Sequence, residues 1–303
     1  MRYKITKRFL IFWCLFIGIG AVYGSSCMFI DPSGKLLGMD SMLPYFKILP
    51  FSDILFQNYL FSGIALLIVN GISNFVAAYF LIKNKKLGII LGTIFGFTLM
   101  LWILIQFIIF PSNIMSTTYF VLGIIQLITG YMTYVFYMQE HFKFNLEDYK
   151  NIGKNEKVLV VYFSRMGYTK KIAYETAEQN GASIVEINAK EKTENTSGFW
   201  WCGRYGMHKW SMQIEDINID FEKYDKIIIV SSIWVFSISA PIREFCYRYK
   251  GRIKNVEYVF NHFMKYNFKN VADEMDKILE IKRNKVISIC TRFGKEIYIK
   301  DIT

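Results

Sequence analysis

Four long apolar runs without an ionisable residue constrain this sequence more than any other feature. The runs cover residues 9–30, 54–82, 87–110 and 115–138, and no Asp, Glu, Lys, Arg or His lies inside them. Each run is longer than the roughly 20 residues that a helix needs to cross the hydrocarbon core of a bilayer. The sequence therefore predicts four transmembrane helices near these bounds, in an N-terminal transmembrane domain over residues 1–144.

Lys and Arg are distributed unevenly around these runs, and this predicts their orientation. Four basic residues precede the first run and three lie at 83–86, whereas the loop around Pro111 has none. By the positive-inside rule, we expect a multi-pass protein of the cell membrane whose N- and C-termini both lie in the cytoplasm. Basic residues that flank the apolar runs and face membrane lipid also explain much of the net charge of +11. The sequence has no nucleic-acid motif, so we expect no nucleic-acid partner.

Amide side chains are the strongest hydrogen-bonding groups inside the four runs. One interpretation is that they form hydrogen bonds between helices, worth roughly 0.5–2 kcal/mol each. The other interpretation is a polar lining for a quinone or a lipid head group. The six amides are Gln57, Asn58, Asn70, Asn74, Gln106 and Gln126.

The cysteines and histidines do not form a metal-binding pattern. No two of the five cysteines have CxxC spacing, and the three histidines are far apart in the sequence. Scattered thiols of odd number are typical of reduced, buried cysteines. We therefore expect no metal site.

The second half of the chain has mixed charge and a different pattern. A polar linker over 145–156 precedes short β-rich apolar runs that alternate with segments of helical spacing. Such alternation is typical of a parallel, doubly wound sheet with helices on both faces. The sequence predicts a C-terminal α/β domain over 157–303 with five parallel strands, at 157–163, 183–188, 226–231, 256–260 and 286–290.

The loop after the first predicted strand has the composition of a phosphate-binding loop. A short turn with glycine and hydroxyl residues, followed by a helix, directs backbone N–H groups toward an anion. The segment YFSRMGYTKKIA resembles the FMN phosphate loop of the flavodoxin family, usually close to S-x-T-G-x-T. The resemblance covers about residues 157–290, and Met166 departs from it where threonine is usual. It implies a flavodoxin-like fold and FMN contacts from Ser164, Arg165, Met166, Gly167, Tyr168 and Thr169.

The loop after the third predicted strand resembles the second flavin loop of the same family. In that family an aromatic residue lies against the isoalloxazine ring, and a helix that begins with proline follows. Here Trp234 and Pro241 occupy those positions. Val235 stands where the family often has glycine, and a β-branched residue resists positive φ, so the peptide flip that serves flavin N5 is not expected. The resemblance implies cofactor contacts from Ser232, Ile233, Trp234, Val235 and Phe236.

Two further segments have no family counterpart. After the fourth strand, His262 and Tyr266 are candidates to touch the flavin ring, and a buried structural hydrogen bond is the alternative role of His262. The segment 190–219 is rich in aromatic and basic residues. It fits a surface at the level of lipid head groups, a lid over the flavin, or a buried patch.

Two functions remain open at this point. The first is a membrane-anchored FMN protein that transfers electrons or acts as an FMN-dependent oxidoreductase at the cytoplasmic membrane face. Its partners would be a quinone or a redox protein, by analogy with the fold alone, and no general acid or base is assigned. The alternative is a non-enzymatic membrane protein with a degenerate flavodoxin-like interaction or sensing domain.

Overall fold

The computed structural model describes residues 2–193 and 195–303. The chain divides into two compact units, residues 1–141 and 142–303. The first is helical and apolar, and the second combines a β-sheet with helices. We call them the membrane unit and the α/β unit.

The membrane unit has four helical spans among its described residues that are long and apolar enough to cross a membrane, as predicted. The second span is composite, because a π-helical turn over Leu67–Ile72 joins two α-helices. The helices are α1 (Arg2–Ile30), α2 (Ser52–Leu55), α3 (Leu60–Leu66), α4 (Ser73–Ile82), α5 (Lys86–Ile109) and α6 (Ile114–Glu140).

The second span begins later than the sequence predicts. Residues 56–59 are not helical, and the Tyr59 hydroxyl donates to the Met39 carbonyl at 2.6 Å. Gln57 and Asn58 therefore lie outside the spanning helix. The prediction that these two amides bond between spans is wrong, because each bonds within its own turn, to Asp53 and to Leu60.

Three of the remaining amides do join the spans, and one of them, Gln106 in α5, accepts from Ser116 Oγ in α6 at 3.2 Å. The Gln126 side-chain amide in α6 donates to Asn74 Oδ1 in α4 at 2.8 Å and to the Gly92 carbonyl in α5 at 3.0 Å. Helices α5 and α6 approach closely, since a Cβ on Gly96 would lie 2.6 Å from the Leu127 nitrogen. Small residues and buried amides are the usual means by which helices associate in a bilayer.

The α/β unit begins its sheet at Asn155, after a 3₁₀ turn over Leu146–Asp148 in the predicted linker. Within its described residues, the helices are α7 (Tyr168–Asn180), α8 (Asn195–His208), α9 (Ala240–Arg248) and α10 (Lys269–Leu279). The strands are β1 (Asn155–Tyr162), β2 (Ala182–Glu186), β3 (Lys226–Trp234), β4 (Ser237–Ile238), β5 (Val256–His262), β6 (Lys285–Arg292) and β7 (Lys295–Asp301).

The main sheet has the order β2-β1-β3-β5-β6-β7. Its first five strands in this order are parallel neighbours. The strand order reverses between β1 and β3, and the crevice at such a switch point is where doubly wound sheets bind ligands. The sheet therefore places the carboxyl ends of β1, β3 and β5 side by side.

Two strands depart from the predicted all-parallel sheet. Strand β7 pairs antiparallel with β6, and β4 pairs antiparallel with the end of β3. After β6 the chain turns back into β7, and this antiparallel hairpin forms the edge of the sheet. The sheet is mixed and mostly parallel.

Both faces of the sheet are buried. In β1, Leu159 and Val161 face one apolar core, which α9 and α10 cover, while Val158 and Val160 face a second core, which α7 covers. This arrangement explains the near-continuous apolar sequence of β1 and β3.

Candidate functional site

One buried hydrogen-bond chain ties the ends of two strands to the start of a helix. The Asn261 side-chain amide, in β5, donates to Thr169 Oγ1 at 3.2 Å, and Thr291 Oγ1, in β6, donates to Asn261 Oδ1 at 2.8 Å. All three side chains are buried. Because buried polar groups are costly when unpaired, this chain fixes the start of α7 against the carboxyl ends of β5 and β6.

The loop between β1 and α7 presents backbone donors at its turn. Gly167 has φ of 87°, in the left-handed region, and its N–H donates to Ser164 Oγ at 3.1 Å. No described side chain caps the N-terminus of α7. The first N–H groups of a helix lack intrahelical partners and attract anions. The predicted phosphate loop therefore has the geometry of an anion site.

Two side chains of this loop add to its polarity. The Tyr168 hydroxyl is buried and has no hydrogen-bond partner among the described residues. Burial raises the pKa of Tyr168, and the nearby Arg165 charge opposes that rise. The Arg165 guanidinium lies 5.5 Å from the centre of the Phe199 ring. A positive charge and an unused hydroxyl at a helix N-terminus both favour an anionic ligand.

The turn between β3 and β4 is strained. Val235 has φ of 46° and Phe236 has φ of 61°, and the pairing of Trp234 with Ser237 makes these two residues a tight hairpin turn. The expectation that Val235 avoids positive φ is therefore wrong, because a two-residue turn of this twist needs positive φ at both central positions. Such strain is frequent at ligand clamps and active sites.

We expect the replacement Val235→Gly to stabilise the α/β unit by about 1 kcal/mol, because the left-handed conformation costs an L-residue about 1–2 kcal/mol. The gain would raise the melting temperature by roughly 2–4 °C. It can be measured by thermal unfolding of the full chain, with hydrogen exchange of β3 and β5 amides as the local readout. Ile297→Gly, at an exposed β7 position outside the positive-φ residues, should be destabilising. A destabilised Val235→Gly protein would show that the turn is not strained.

The aromatic residues of this region differ in exposure. Trp234 is half-buried, and its ring meets Phe163 edge to face with centroids 5.8 Å apart. Helix α8 packs on it, since a Cβ on Gly206 would lie 2.4 Å from the Trp234 carbonyl oxygen. Phe236 is 49% exposed and lies 5.7 Å from the Tyr266 ring. Phe236 and Tyr266 thus form an open aromatic wall, whereas Trp234 already packs against protein.

His262 is held at both ring nitrogens. Nδ1 lies 2.7 Å from the Met264 carbonyl oxygen, and Nε2 lies 2.6 Å from Ser288 Oγ. The carbonyl only accepts, so the assigned tautomer carries its proton on Nδ1 and accepts from the serine. This geometry supports the structural alternative for His262.

Burial lowers the pKa of His262, opposed by the Met264 carbonyl. The unfolded chain therefore binds this proton more readily, and the histidine's contribution to stability is lost as pH falls below about 6.5. We expect the α/β unit to be less stable at about pH 5.5 than at about pH 7.5, and His262→Gln to flatten this difference. Denaturant titrations at both pH values measure it. An equal pH dependence in His262→Gln and in the exposed-site control His208→Gln would contradict this assignment.

Two neighbouring segments border the loops. The Phe142 ring lies 4.6 Å from the Tyr168 ring and next to Gly167 and Gly294. Helix α8, in the long segment 190–219, exposes Trp200 and other aromatic residues. Part of 190–219 thus packs beside the β3–β4 turn, and part is exposed.

The structure brings the predicted loops to one edge of the sheet. Ser232 and Ile233 lie at the end of β3, where the Ser232 carbonyl accepts from the Ser239 N–H at 3.1 Å. Met166 is half-buried in the first loop. Sequence reasoning missed Asn261 and Thr291, although a polar residue directly after a buried strand is a usable signal.

Comparisons with known proteins give matches of structure only. No family model matches the chain, and no curated protein matches it in sequence. The α/β unit is similar to the crystal structure of a flavoprotein from Lactobacillus acidophilus in complex with FMN, with 22% identity and a TM-score of 0.39. That match covers 44% of this chain and 92% of the other.

Two further solved structures show the same level of similarity. One is a protein from Bacteroides uniformis provisionally described as a flavoprotein, with 22% identity, a TM-score of 0.40 and coverage of 46% of this chain and 97% of the other. The other is the apo-form of the Lactobacillus acidophilus flavoprotein, with 18% identity, a TM-score of 0.35 and coverage of 47% and 100%. These values are low, and they carry no argument about the function of this chain.

Proposed function

We propose that the α/β unit binds FMN and that the chain is a membrane-anchored flavoprotein that transfers electrons. The observation that carries this proposal is the uncapped N-terminus of α7 behind the left-handed Gly167, at the switch point between β1 and β3. A helix N-terminus at that place in a doubly wound sheet favours a phosphate-bearing ligand.

The donor set fits the phosphate group of FMN. The hydroxyls of Ser164 and Thr169 and the backbone N–H groups at the start of α7 would hold the phosphate, and Arg165 would supply positive charge. The buried Tyr168 hydroxyl is a further donor without a described partner. Because phosphate needs several donors in a small space, these residues match it better than they match a neutral ligand.

The aromatic wall fits the flavin ring. Phe236 and Tyr266 are each about half exposed beside the β3–β4 turn, and aromatic rings stack favourably on planar ligands. Trp234 would add only a partial contact to the flavin ring, because it already packs against Phe163 and α8. Bound FMN supplies one- and two-electron chemistry, and the protein would bind, orient and shield it.

A flavin fluorescence titration of the full-length protein tests this assignment. We expect added FMN to lose emission on binding, and Phe236→Ala to weaken binding by about 5- to 100-fold, as loss of a stacking ring does. Tyr247→Ala, which removes an equally exposed ring from α9, is the matched control. Unchanged affinity in Phe236→Ala would exclude that ring from the site, and absence of binding to the wild-type protein would reject the proposal.

The location of the chemistry follows from the predicted orientation. We propose that both termini lie in the cytoplasm, so that the flavin would exchange electrons there with a quinone or a redox protein. The four basic residues in the first two turns of α1 and the three at 83–86 support this orientation. A C-terminal reporter active only in the cytoplasm tests it, and a signal from the opposite side would overturn it.

The non-enzymatic alternative has observations of its own. The Phe142 ring lies against the phosphate loop, and His262 is already bonded at both ring nitrogens. A degenerate interaction domain would keep such contacts and bind no FMN. The same titration distinguishes the two functions, because this domain would stay folded and leave flavin emission unchanged.

A further inference from the structure

The membrane unit contains a cavity of about 160 Å³ at the end where α1 and α5 finish and α3 begins. For comparison, a cavity of about 150 Å³ with apolar walls holds one benzene-sized ring. The walls are mostly apolar, and six of the lining residues are aromatic: Phe46, Phe56, Tyr59, Phe61, Trp102 and Phe110.

The aromatic walls hold one another in place. Phe46 stacks on Phe56 with centroids 4.8 Å apart and meets Phe110 edge to face at 5.0 Å. The buried Tyr59 ring meets Phe46 edge to face at 5.7 Å, and its hydroxyl donates to the Met39 carbonyl. The cavity is therefore preformed, and flat aromatic walls favour a planar ring as occupant.

Two hydrogen-bond donors lie in this otherwise apolar lining. Ser62 is 8% exposed, and its hydroxyl has no partner among the described residues. Gln106 Oε1 accepts from Ser116 Oγ at 3.2 Å, which leaves its amide nitrogen without a described acceptor. Since a buried hydroxyl without a partner is unfavourable, a ligand oxygen that accepts from it would be stabilising.

The cavity also borders the exposed outer surface of the spanning helices. Phe61 in α3 and Ile105 in α5 line the cavity and are both exposed. On helices that cross a membrane, exposed apolar side chains face lipid. A ligand that is soluble in the bilayer could therefore reach the cavity from the side.

We propose that this cavity binds the ring of a lipid-soluble quinone. A quinone combines a flat apolar ring with a carbonyl oxygen that accepts hydrogen bonds, which matches the aromatic walls and the donors Ser62 and Gln106. The site concerns binding alone, lies wholly within the membrane unit and does not depend on FMN in the α/β unit.

The test uses the full-length protein in lipid nanodiscs, with empty nanodiscs subtracted to remove partitioning into lipid. The probes are 2,5-dimethyl-1,4-benzoquinone and p-xylene, which share a flat six-carbon ring with two methyl groups para to each other, and only the quinone carries carbonyl oxygens. Equilibrium dialysis should show tighter binding of the quinone. We expect Ser62→Ala to weaken quinone binding about fivefold, the usual effect of one hydrogen bond, and to leave p-xylene binding within about twofold.

Two control variants complete the test. Ser25→Ala removes a buried hydroxyl that bonds within α1 and does not line the cavity, so it should change neither affinity. Ala65→Phe fills the cavity and should abolish binding of both probes. If the wild-type protein binds quinone and p-xylene equally and Ser62→Ala has no effect, the cavity is an apolar void that does not recognise the quinone oxygens. Unchanged binding in Ala65→Phe would place the probes elsewhere, and either result would overturn the proposal.

Discussion

Replacing Ser164 by aspartate is expected to weaken FMN binding about 100-fold. The Ser164 hydroxyl accepts from the Gly167 N–H, and an aspartate oxygen can accept the same bond, so the loop should keep its shape. The new negative charge would lie beside the FMN phosphate. Two unit charges about 5.5 Å apart near a protein surface repel by roughly 3 kcal/mol, and that loss of affinity is a factor of about 100.

The matched variant is Ser164→Asn, which has the same shape and the same acceptor without the charge. It should bind FMN within about fivefold of wild type, the effect of at most one altered hydrogen bond. Riboflavin lacks the phosphate, so its affinity should be the same in both variants. Equal FMN affinity in Ser164→Asp and Ser164→Asn would mean that no phosphate lies at this loop.

Replacing Arg243 by methionine is expected to destabilise the α/β unit by about 3 kcal/mol. The Arg243 side chain is 2% exposed, and its Nη1 lies 2.8 Å from Glu274 Oε1. Its Nη2 donates to Ser237 Oγ at 2.7 Å, just after the strained turn. Removing one partner of a buried ion pair leaves the other unpaired, which costs about 3–5 kcal/mol, and the half-buried Glu274 argues for the lower value.

The pH dependence of this pair has a defined sign. Burial would raise the pKa of Glu274, but the hydrogen bonds and charges of Arg243 and Lys209 outweigh it and lower that pKa. Its stabilising effect is therefore present above the ordinary carboxyl pKa and is lost as pH falls through the lowered value. Arg243→Met should reduce this acid sensitivity.

Arg248→Met is the control, because Arg248 pairs with Asp216 and Glu244 at a more exposed site. Exposed pairs contribute at most about 1 kcal/mol. Urea unfolding of the full chain, followed by hydrogen exchange of the α/β amides, compares the variants. Equal losses of stability in the two variants would show that burial of Arg243 has no special effect.

Much of the fold follows from apolar patterning. The apolar run in β1 predicts a strand covered on both faces, and the structure has apolar cores on both sides of Leu159 and Val160. Strand β7 was not predicted, because its apolar residues Ile297, Tyr298 and Ile299 form only a short run between charged residues. The β3–β4 turn was missed for another reason, since Val235 and Phe236 are poor residues for positive φ.

The sequence predicts which loops form the candidate site, but it does not predict the contacts that their side chains make. Ser164, Gly167 and Thr169 follow a recognisable local pattern, because the backbone alone shapes that loop. Trp234 could not be placed from sequence, since its partners Phe163 and α8 are distant along the chain. Long-range packing of this kind decides which aromatic ring stays open to a ligand.

The visible absorption spectrum of the purified full-length protein, before and after addition of FMN and removal of unbound flavin, shows whether the α/β unit holds FMN. We predict the absorption bands of flavin at about one FMN per chain, retained through the removal step, and loss of these bands in Ser164→Asp. A folded protein that remains colourless after incubation with FMN would show that the α/β unit does not bind FMN and would leave it as an interaction domain tethered to the membrane.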